Sequence, residues 1–393
     1  MVERVDPNAF GSGNRAAASA FHPEQQLERG RLGIPGIVGF SHGMYPLRAR
    51  LLPLLLALVA SAFALDQTKA GQSPADHLPP HIRRLTHFGE RADWSPDGKK
   101  IVFIAKTFGD VMELDVATGA ITNLTSHYAN YGYTRALYLA NGDILLSGPT
   151  TYDIKNPGPA RNQCYLFVLS GTKKVPPVAL GVRCNEGPAV SRHRLHIAWP
   201  EWTSPKPGEG DLALSKLFEA DLVYTDGVPA LANQRLIIDG ATLPFHCTLE
   251  TQNFRPPAET EITASAYQER GRKSDVLGID LATAKVTKYT DTPAVYDEPE
   301  GMFPDGAHTL VECDSQNLLG PGNIDLWKLS LDGKGTYTRL TYFSEYPGYK
   351  ASNGVVSDDG KYLAFQMGHA GEAAGIGHGI FLYDFSQAPA DQR

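Results

Sequence analysis

The sequence predicts an all-β chain: a six-bladed β-propeller of four-stranded antiparallel blades, with the ring closed by an N-terminal strand. Three observations point there. A unit of short apolar strands recurs about every 52 residues between Asp97 and Asp359, at the long end of the spacing of propeller repeats. The chain carries 39 Gly and 28 Pro, well above average usage, as a turn-rich chain needs. Few long stretches show a helical period, and short alternating strands between turn signals read as all-β.

The first unit is the clearest. Residues 84–125 run through an apolar strand ending in Trp94, a tight turn Ser95-Pro96-Asp97-Gly98, and a second strand Ile101-Val102-Phe103-Ile104-Ala105. A third strand, Val111 to Val116, and a short last strand ending in Asn123-Leu124-Thr125 follow. Pro and Gly stand where a turn wants them, and four such strands make one blade. The unit returns at 302–341, with Phe303-Pro304-Asp305-Gly306 and the closing Arg339-Leu340-Thr341, and at 355–385, with Ser357-Asp358-Asp359-Gly360. Three weaker copies lie between, around Ala140-Asn141-Gly142-Asp143, Gly187 to Trp199, and Glu261 to Thr290. Asp97 and Asp305 are turn residues on this reading, not site residues. The last unit lacks a closing Leu-Thr strand. Arg83-Arg84-Leu85-Thr86 supplies one ahead of the first unit, so the two ends are expected to pair and hide an open edge.

The W-S-P-D-G-K-x-I-x-F signature and closing L-T resemble the TolB-like (WD40-like, PD40) propeller repeat, from about His81 to Phe385. The resemblance implies the fold. It leaves function open, because that family includes binding scaffolds, peptidase side domains and polysaccharide-degrading enzymes.

The N-terminus reads as an address. Residues 44–64 carry Arg48 and Arg50, an apolar run from Leu51 to Ala60, and Ala62-Phe63-Ala64. That order is a secretory signal peptide, and the run is too short for a membrane span of about 20 residues. Residues 1–43 are then a disordered extension or lie outside the translated protein. They contain Gly39-Phe40-Ser41-His42-Gly43, a G-x-S-x-G match without the strand and helix that a nucleophile elbow requires. Residues 65–80 read as a flexible lead-in, 81–385 as the propeller, and 386–393 as a tail. That short tail leaves no hydrolase domain, so the role of a peptidase side domain is not expected. The expected location is secreted or periplasmic, with no membrane span after signal removal.

The formal net charge is −7, and no basic block appears in the body, so nucleic acid is not an expected partner. Cys164, Cys184, Cys247 and Cys313 form no C-x-x-C pair. An oxidising compartment permits disulfides among them, and buried thiols are the alternative.

First strands line a propeller's channel. Aligning the units on their turns puts Glu90, Thr134, Glu186, Glu298 and Ser352 at one level, with Arg91, Arg135, Gly187, Pro299 and Asn353 one residue on. Glu250 and Gln252 fall nearby in the irregular fourth unit. The candidate ligand-binding set is therefore Glu90, Arg91, Arg135, Glu186, Glu250, Asp297, Glu298, Glu300, Tyr349 and Lys350. In one reading these groups merely pair around a wet channel. In the other they receive a protein, peptide or glycan ligand, or run glycoside hydrolysis or polyuronate cleavage with paired carboxylates or a metal. Propeller lyases acting on oligogalacturonate bind a metal through histidines and a glutamine. Here Gln366 falls on a second strand and no His-x-His accompanies it, so neither it nor His369 or His378 is assigned as a ligand. No residue is assigned as catalytic, and no cofactor is named by the sequence.

N-terminal sequencing of the exported protein is expected to begin at Leu65; a mature chain retaining residues 1–43 would overturn the signal assignment.

Overall fold

The computed structural model describes residues 69–161, 163–203, 213–370, 372 and 375–393. The extension 1–43, the signal segment 44–64 and residues 65–68 of the lead-in lie outside the described residues.

Six four-stranded antiparallel sheets form six blades. Blade one is Glu90–Trp94, Lys100–Ile104, Val111–Asp115 and Ile121–Asn123. Blade two is Arg135–Tyr138, Ile144–Pro149, Cys164–Leu169 and Val178–Arg183, with a one-turn helix, Gly158–Arg161, before its third strand. Blade three is Ala189–Val190, His196–Thr203, Leu214–Thr225 and Val228–Asp239. Blade four is Thr248–Phe254, Glu261–Gln268, Lys273–Asp280 and Val286–Lys288. Blade five is Asp297–Met302, His308–Cys313, Asp325–Ser330 and Tyr337–Arg339. Blade six takes Tyr349–Val356, Tyr362–His369 and Ile380–Asp384 from the end of the chain. Its fourth strand is Ile82–Arg84, in the register Ile82↔Tyr383, Arg83↔Leu382, Arg84↔Phe381.

The core is six apolar layers between neighbouring blades. This explains why the second strands read as unbroken apolar runs. A strand's side chains alternate between faces, and each blade is covered on both. Ile101 and Phe103 pack towards blade six with Ile380 and Leu382, while Val102 and Ile104 pack towards blade two with Ile144 and Leu146. All four are fully buried. Each such side chain contributes about 1.5–3 kcal/mol of transfer free energy.

The repeat motif has a hydrogen-bonding reason at both ends. In the turn, Ser95 Oγ accepts the Lys100 N–H at 2.9 Å and donates to Asp97 Oδ1 at 2.8 Å. Gly98 holds φ 68°, which a side chain would resist. Blade six repeats this with Ser357 and Asp359. At the blade's outer edge, the closing Leu-Thr is a clamp on the start of the third strand. Leu124 donates its N–H to the Val111 carbonyl at 2.8 Å, and Thr125 Oγ1 accepts the Val111 N–H at 3.0 Å. Leu340-Thr341 does the same to Leu326, and Tyr289-Thr290 to Val276. Leu85-Thr86 does it to Ile380 of blade six.

Blade three departs from the expected repeat. Its third and fourth strands form a long hairpin turning at Asp226-Gly227, both at positive φ (50° and 79°), as a two-residue hairpin loop requires. The four cysteines are buried free thiols. Cys164 and Cys184 both belong to the edge of blade two, where the Cys184 N–H meets the Cys164 carbonyl at 3.0 Å.

Thr125→Val keeps the shape of the clamp but strands the buried Val111 N–H. It is expected to lower stability by about 1–2 kcal/mol, read from the urea midpoint at constant m-value.

Candidate functional site

Backbone hydrogen bonds fix the equivalence of the inner strands. At the first turn of each blade, one residue donates its N–H to the start of the second strand: Ser95, Leu139, Ser191, Arg255, Phe303 and Ser357, at 2.8–3.1 Å. Counting back five residues from each gives Glu90, Thr134, Glu186, Glu250, Glu298 and Ser352. Glu90, Glu250, Glu298 and Ser352 each pair with the residue four positions beyond that acceptor, whereas in blade two, whose inner strand has no register shift, Arg135 rather than Thr134 takes this place, opposite Ser147. Four of six positions are glutamate.

The inner strands bulge just after this level. Register shifts fall between Glu90 and Asp93, Thr251 and Asn253, Pro299 and Gly301, and Ser352 and Val355. Bulges re-aim side chains. Arg91 (φ 58°), Gly187 (φ 65°) and Asn353 (φ 47°) take the left-handed conformation there. Gly187 is needed twice over, because a Cβ would lie 2.2 Å from Glu250 Oε1. The exposed N–H of the bulge is capped from the preceding blade. Gln366 Oε1 accepts the Arg91 N–H at 2.7 Å, and Glu312 Oε1 accepts the Asn353 N–H at 2.6 Å.

The level has a basic half and an acidic half. Glu186 takes Arg91 Nη2 at 2.8 Å and Arg161 Nη2 at 2.6 Å. Burial opposes its ionisation, but Arg161 and Arg91 outweigh burial and hold its carboxyl below the ordinary range. Arg135 approaches Glu250 at 3.5 Å, and the Tyr267 hydroxyl lies between Glu250, at 2.9 Å, and Glu298. Burial and the Glu186 charge push Glu250 up. Glu298 accepts hydroxyls from Tyr267 and Tyr296. Burial, then the charges of Glu312 and Glu250, push it up to about 8. Burial, then Glu312 and Glu298, push Glu300 well above the carboxylate range. Oxygens of Glu298, Glu300 and Glu312 lie within 4.8 Å of one another. Glu90 accepts the Thr107 hydroxyl at 2.6 Å. Nε and Nη1 of Arg91 and Nε of Arg135 are buried without a partner.

The other end of the channel is crossed by Arg192, from the first turn of blade three. Its Nη1 donates to Asp93 at 3.2 Å, its Nη2 to the Trp94 carbonyl at 3.0 Å, and its Nε to Asp358 at 2.8 Å. It therefore ties blades one, three and six.

Three expected members stand apart. Asp297 is fully buried and accepts Tyr337 Oη at 2.8 Å; as Glu298's neighbour on a strand it faces the other side. Tyr349 packs edge-on against His369, and Lys350 Nζ reaches the Pro321 carbonyl at 3.3 Å. Both lie on the rim between blades five and six. Sequence reasoning missed Arg161, Arg192, Tyr267 and Glu312. Glu312 alone had a signal, as the cross-strand partner of Glu298.

The fold defines the chain as a six-bladed β-propeller. No family model matches the sequence, and no curated protein matches it. Solved structures do match. TolB from Acinetobacter baumannii is similar at 9% identity and TM-score 0.45, over 87% of this chain and 72% of that one. An oligogalacturonate lyase from Vibrio parahaemolyticus is similar at 10% identity and TM-score 0.44, over 79% and 81%. The β-propeller domain of a protease from Pyrococcus furiosus is similar at 10% identity and TM-score 0.44, over 77% and 82%. No helix among the described residues is long and apolar enough to cross a membrane.

Arg192→Ala leaves the buried Asp93 carboxylate without its cation. It is expected to cost about 3 kcal/mol in chemical unfolding, with Arg192→Lys intermediate. A second outcome concerns pH. Folded Glu298 keeps its proton to about pH 8, whereas unfolded it releases it near the ordinary 4.5. The folded state binds the extra proton in that window, so this group's contribution to stability falls as pH rises through it. Glu298→Gln is expected to flatten that slope in denaturation curves taken without divalent ions.

Proposed function

We propose that the chain is an exported binding propeller that receives a peptide, protein or glycan at the channel mouth bearing the glutamate level. One observation carries this reading. Buried guanidinium N–H groups of Arg91 and Arg135 lack partners beside carboxylates that themselves exceed the local bases. Buried donors are nearly always satisfied, and a polar ligand at this mouth would satisfy them through charge-assisted hydrogen bonds. Arg161 stands at the lip, its side chain 34% exposed and anchored on Glu186. The Arg192 crossing at the opposite end favours entry from this side.

Export follows from the signal-peptide pattern at 44–64 and gives a secreted or periplasmic location. We further infer that the Ile82–Arg84 strand closes the ring. Its pairing with Ile380–Asp384 and the Leu85-Thr86 clamp support this.

A second reading is a carbohydrate-active enzyme, a glycoside hydrolase or polyuronate lyase. It rests on the contrast between Glu298, pushed up to about 8, and Glu186, held ionised by its arginines. Two carboxyls driven apart in this way suit an acid and a base. Ion-pair networks produce such shifts too, so binding is the reading we favour.

The test is a panel of soluble peptides and oligosaccharides against immobilised protein. Arg161→Ala is expected to weaken the captured ligand about tenfold, about 1.4 kcal/mol, and, because Arg91 still pairs Glu186, to lower the melting temperature by less than Arg192→Ala does. Equal affinity in this variant, or no ligand from the panel, counts against the mouth. Release of sugar products would move the assignment to the enzyme.

A further inference from the structure

We propose that Cys164 and Cys184 are a disulfide pair that fastens together the two chain segments carrying the lip ion pair of Arg161 and Glu186. The pairing rests on strand register and not on the binding reading above; its occurrence in the cell rests on export.

The first argument is register. Tyr165 pairs with Arg183 across the third and fourth strands of blade two. Cys164 therefore stands directly opposite Cys184, and the Cys184 N–H meets the Cys164 carbonyl at 3.0 Å. Opposed residues of a hydrogen-bonded antiparallel pair have Cα atoms about 5.5 Å apart, within the range of about 4.4–6.8 Å that a disulfide spans. Directly opposed side chains share a face of the sheet. The outward pair is already in contact, with Arg183 Nε donating to Tyr165 Oη at 3.3 Å. Cys164 and Cys184 take the other face, and both are buried.

The second is the placing of the other thiols. Cys184 packs between blades two and three with Leu166 and Val168, which lie on the same face of their strand as Cys164. Cys247 belongs to the layer between blades three and four, and Cys313 to the layer between blades four and five. Neither shares a layer with the pair or with the other.

The third is what the sulfurs touch. Cys164 Sγ lies 3.5 Å from the Ala160 carbonyl, and Cys184 Sγ lies 3.8 Å from the Glu186 carbonyl. Arg161 follows Ala160, and its Nη2 meets Glu186 at 2.6 Å. A bond between the sulfurs holds these two segments together beneath the lip.

The oxidant is a second disulfide, of the glutathione class. One cysteine thiolate attacks a sulfur of that disulfide and releases one thiolate. The other cysteine then attacks the protein sulfur of the mixed disulfide and releases the second. Two protons and two electrons leave the pair, and the oxidant ends as two thiols. Burial pushes the Cys164 thiol up to about 11 and the Cys184 thiol well above its ordinary value. Folded thiols of this kind are inert, so the bond forms while blade two folds.

The full chain is unfolded in urea with reductant and refolded in oxidised glutathione; remaining thiols are then blocked and mapped by mass spectrometry. The expected product has one Cys164–Cys184 link, with Cys247 and Cys313 recovered as blocked thiols. Against protein refolded in reductant, it is expected to shift the unfolding equilibrium at least about tenfold towards the folded state. Cys184→Ala and Cys164→Ala, which put a small apolar side chain into an apolar layer, are each expected to show the same urea midpoint with and without oxidant. The proposal falls if oxidised glutathione leaves both cysteines as thiols or glutathione adducts, if either bonds to Cys247 or Cys313, or if the linked protein unfolds at no higher urea than the reduced one. A link that forms on refolding while protein recovered from cells keeps both thiols supports the pairing and counts against export.

Discussion

Arg192 spans the channel from the turn of blade three to Asp93 and the Trp94 carbonyl in blade one and Asp358 in blade six. In a ring of six, blades three and six stand opposite, so this guanidinium works as a crossbar. Asp93 makes it a junction, because its second oxygen also accepts the Tyr138 N–H of blade two at 2.7 Å. Burial raises the Asp93 carboxyl, and the Arg192 charge opposes that rise. The apolar layers alone fix only neighbour against neighbour. A tie across the diameter fixes the ring's width, and the charged groups at the far end inherit their spacing from it.

Those groups are set by the bulges. A flat inner strand would send alternate residues into the layers between blades, where a glutamate has no place. The bulge turns the strand and brings Arg91, Glu300 and Asn353 towards the channel. The left-handed backbone at Arg91 and Asn353 is strained for a side chain, and the caps from Gln366 and Glu312 support it. The same cross-blade logic recurs in the charges: Arg91 of blade one reaches Glu186 of blade three, and Arg135 of blade two reaches Glu250 of blade four.

What the sequence disclosed follows the range of the interaction. Turns, strands and the Leu-Thr clamp are local, so Ser95-Pro96-Asp97-Gly98 and Leu124-Thr125 could be read directly. The glutamate level was legible because it sits at a fixed offset from those turns. Glu250 was blurred because blade four opens its turn at Arg255 without that signature, and its partner Glu259 is bound to Ser191 and Arg192 of blade three. Arg192 acts through cross-ring contacts and Arg161 through a contact with the neighbouring blade, neither of which any spacing encodes. Tyr349 and Lys350 are near Ser352 in sequence, but the strand carries them two or three residues up to the rim.

The two caps also separate structure from function within one position. Gln366 and Glu312 occupy the same place in blades six and five, each opposite the ring-level residue, Ser352 or Glu298. Each accepts the backbone N–H of the bulge in the next blade. A neutral carboxamide is enough for that task, as Gln366 shows. Capping therefore does not account for the carboxyl group at Glu312, nor for its grouping with Glu298 and Glu300. A buried charge without a base is costly, and the neutral alternative is already in use one blade away. The carboxyl groups of the mouth are thus concentrated in blade five by residue choices the fold does not require, and it is there that the chemistry of this propeller is to be sought.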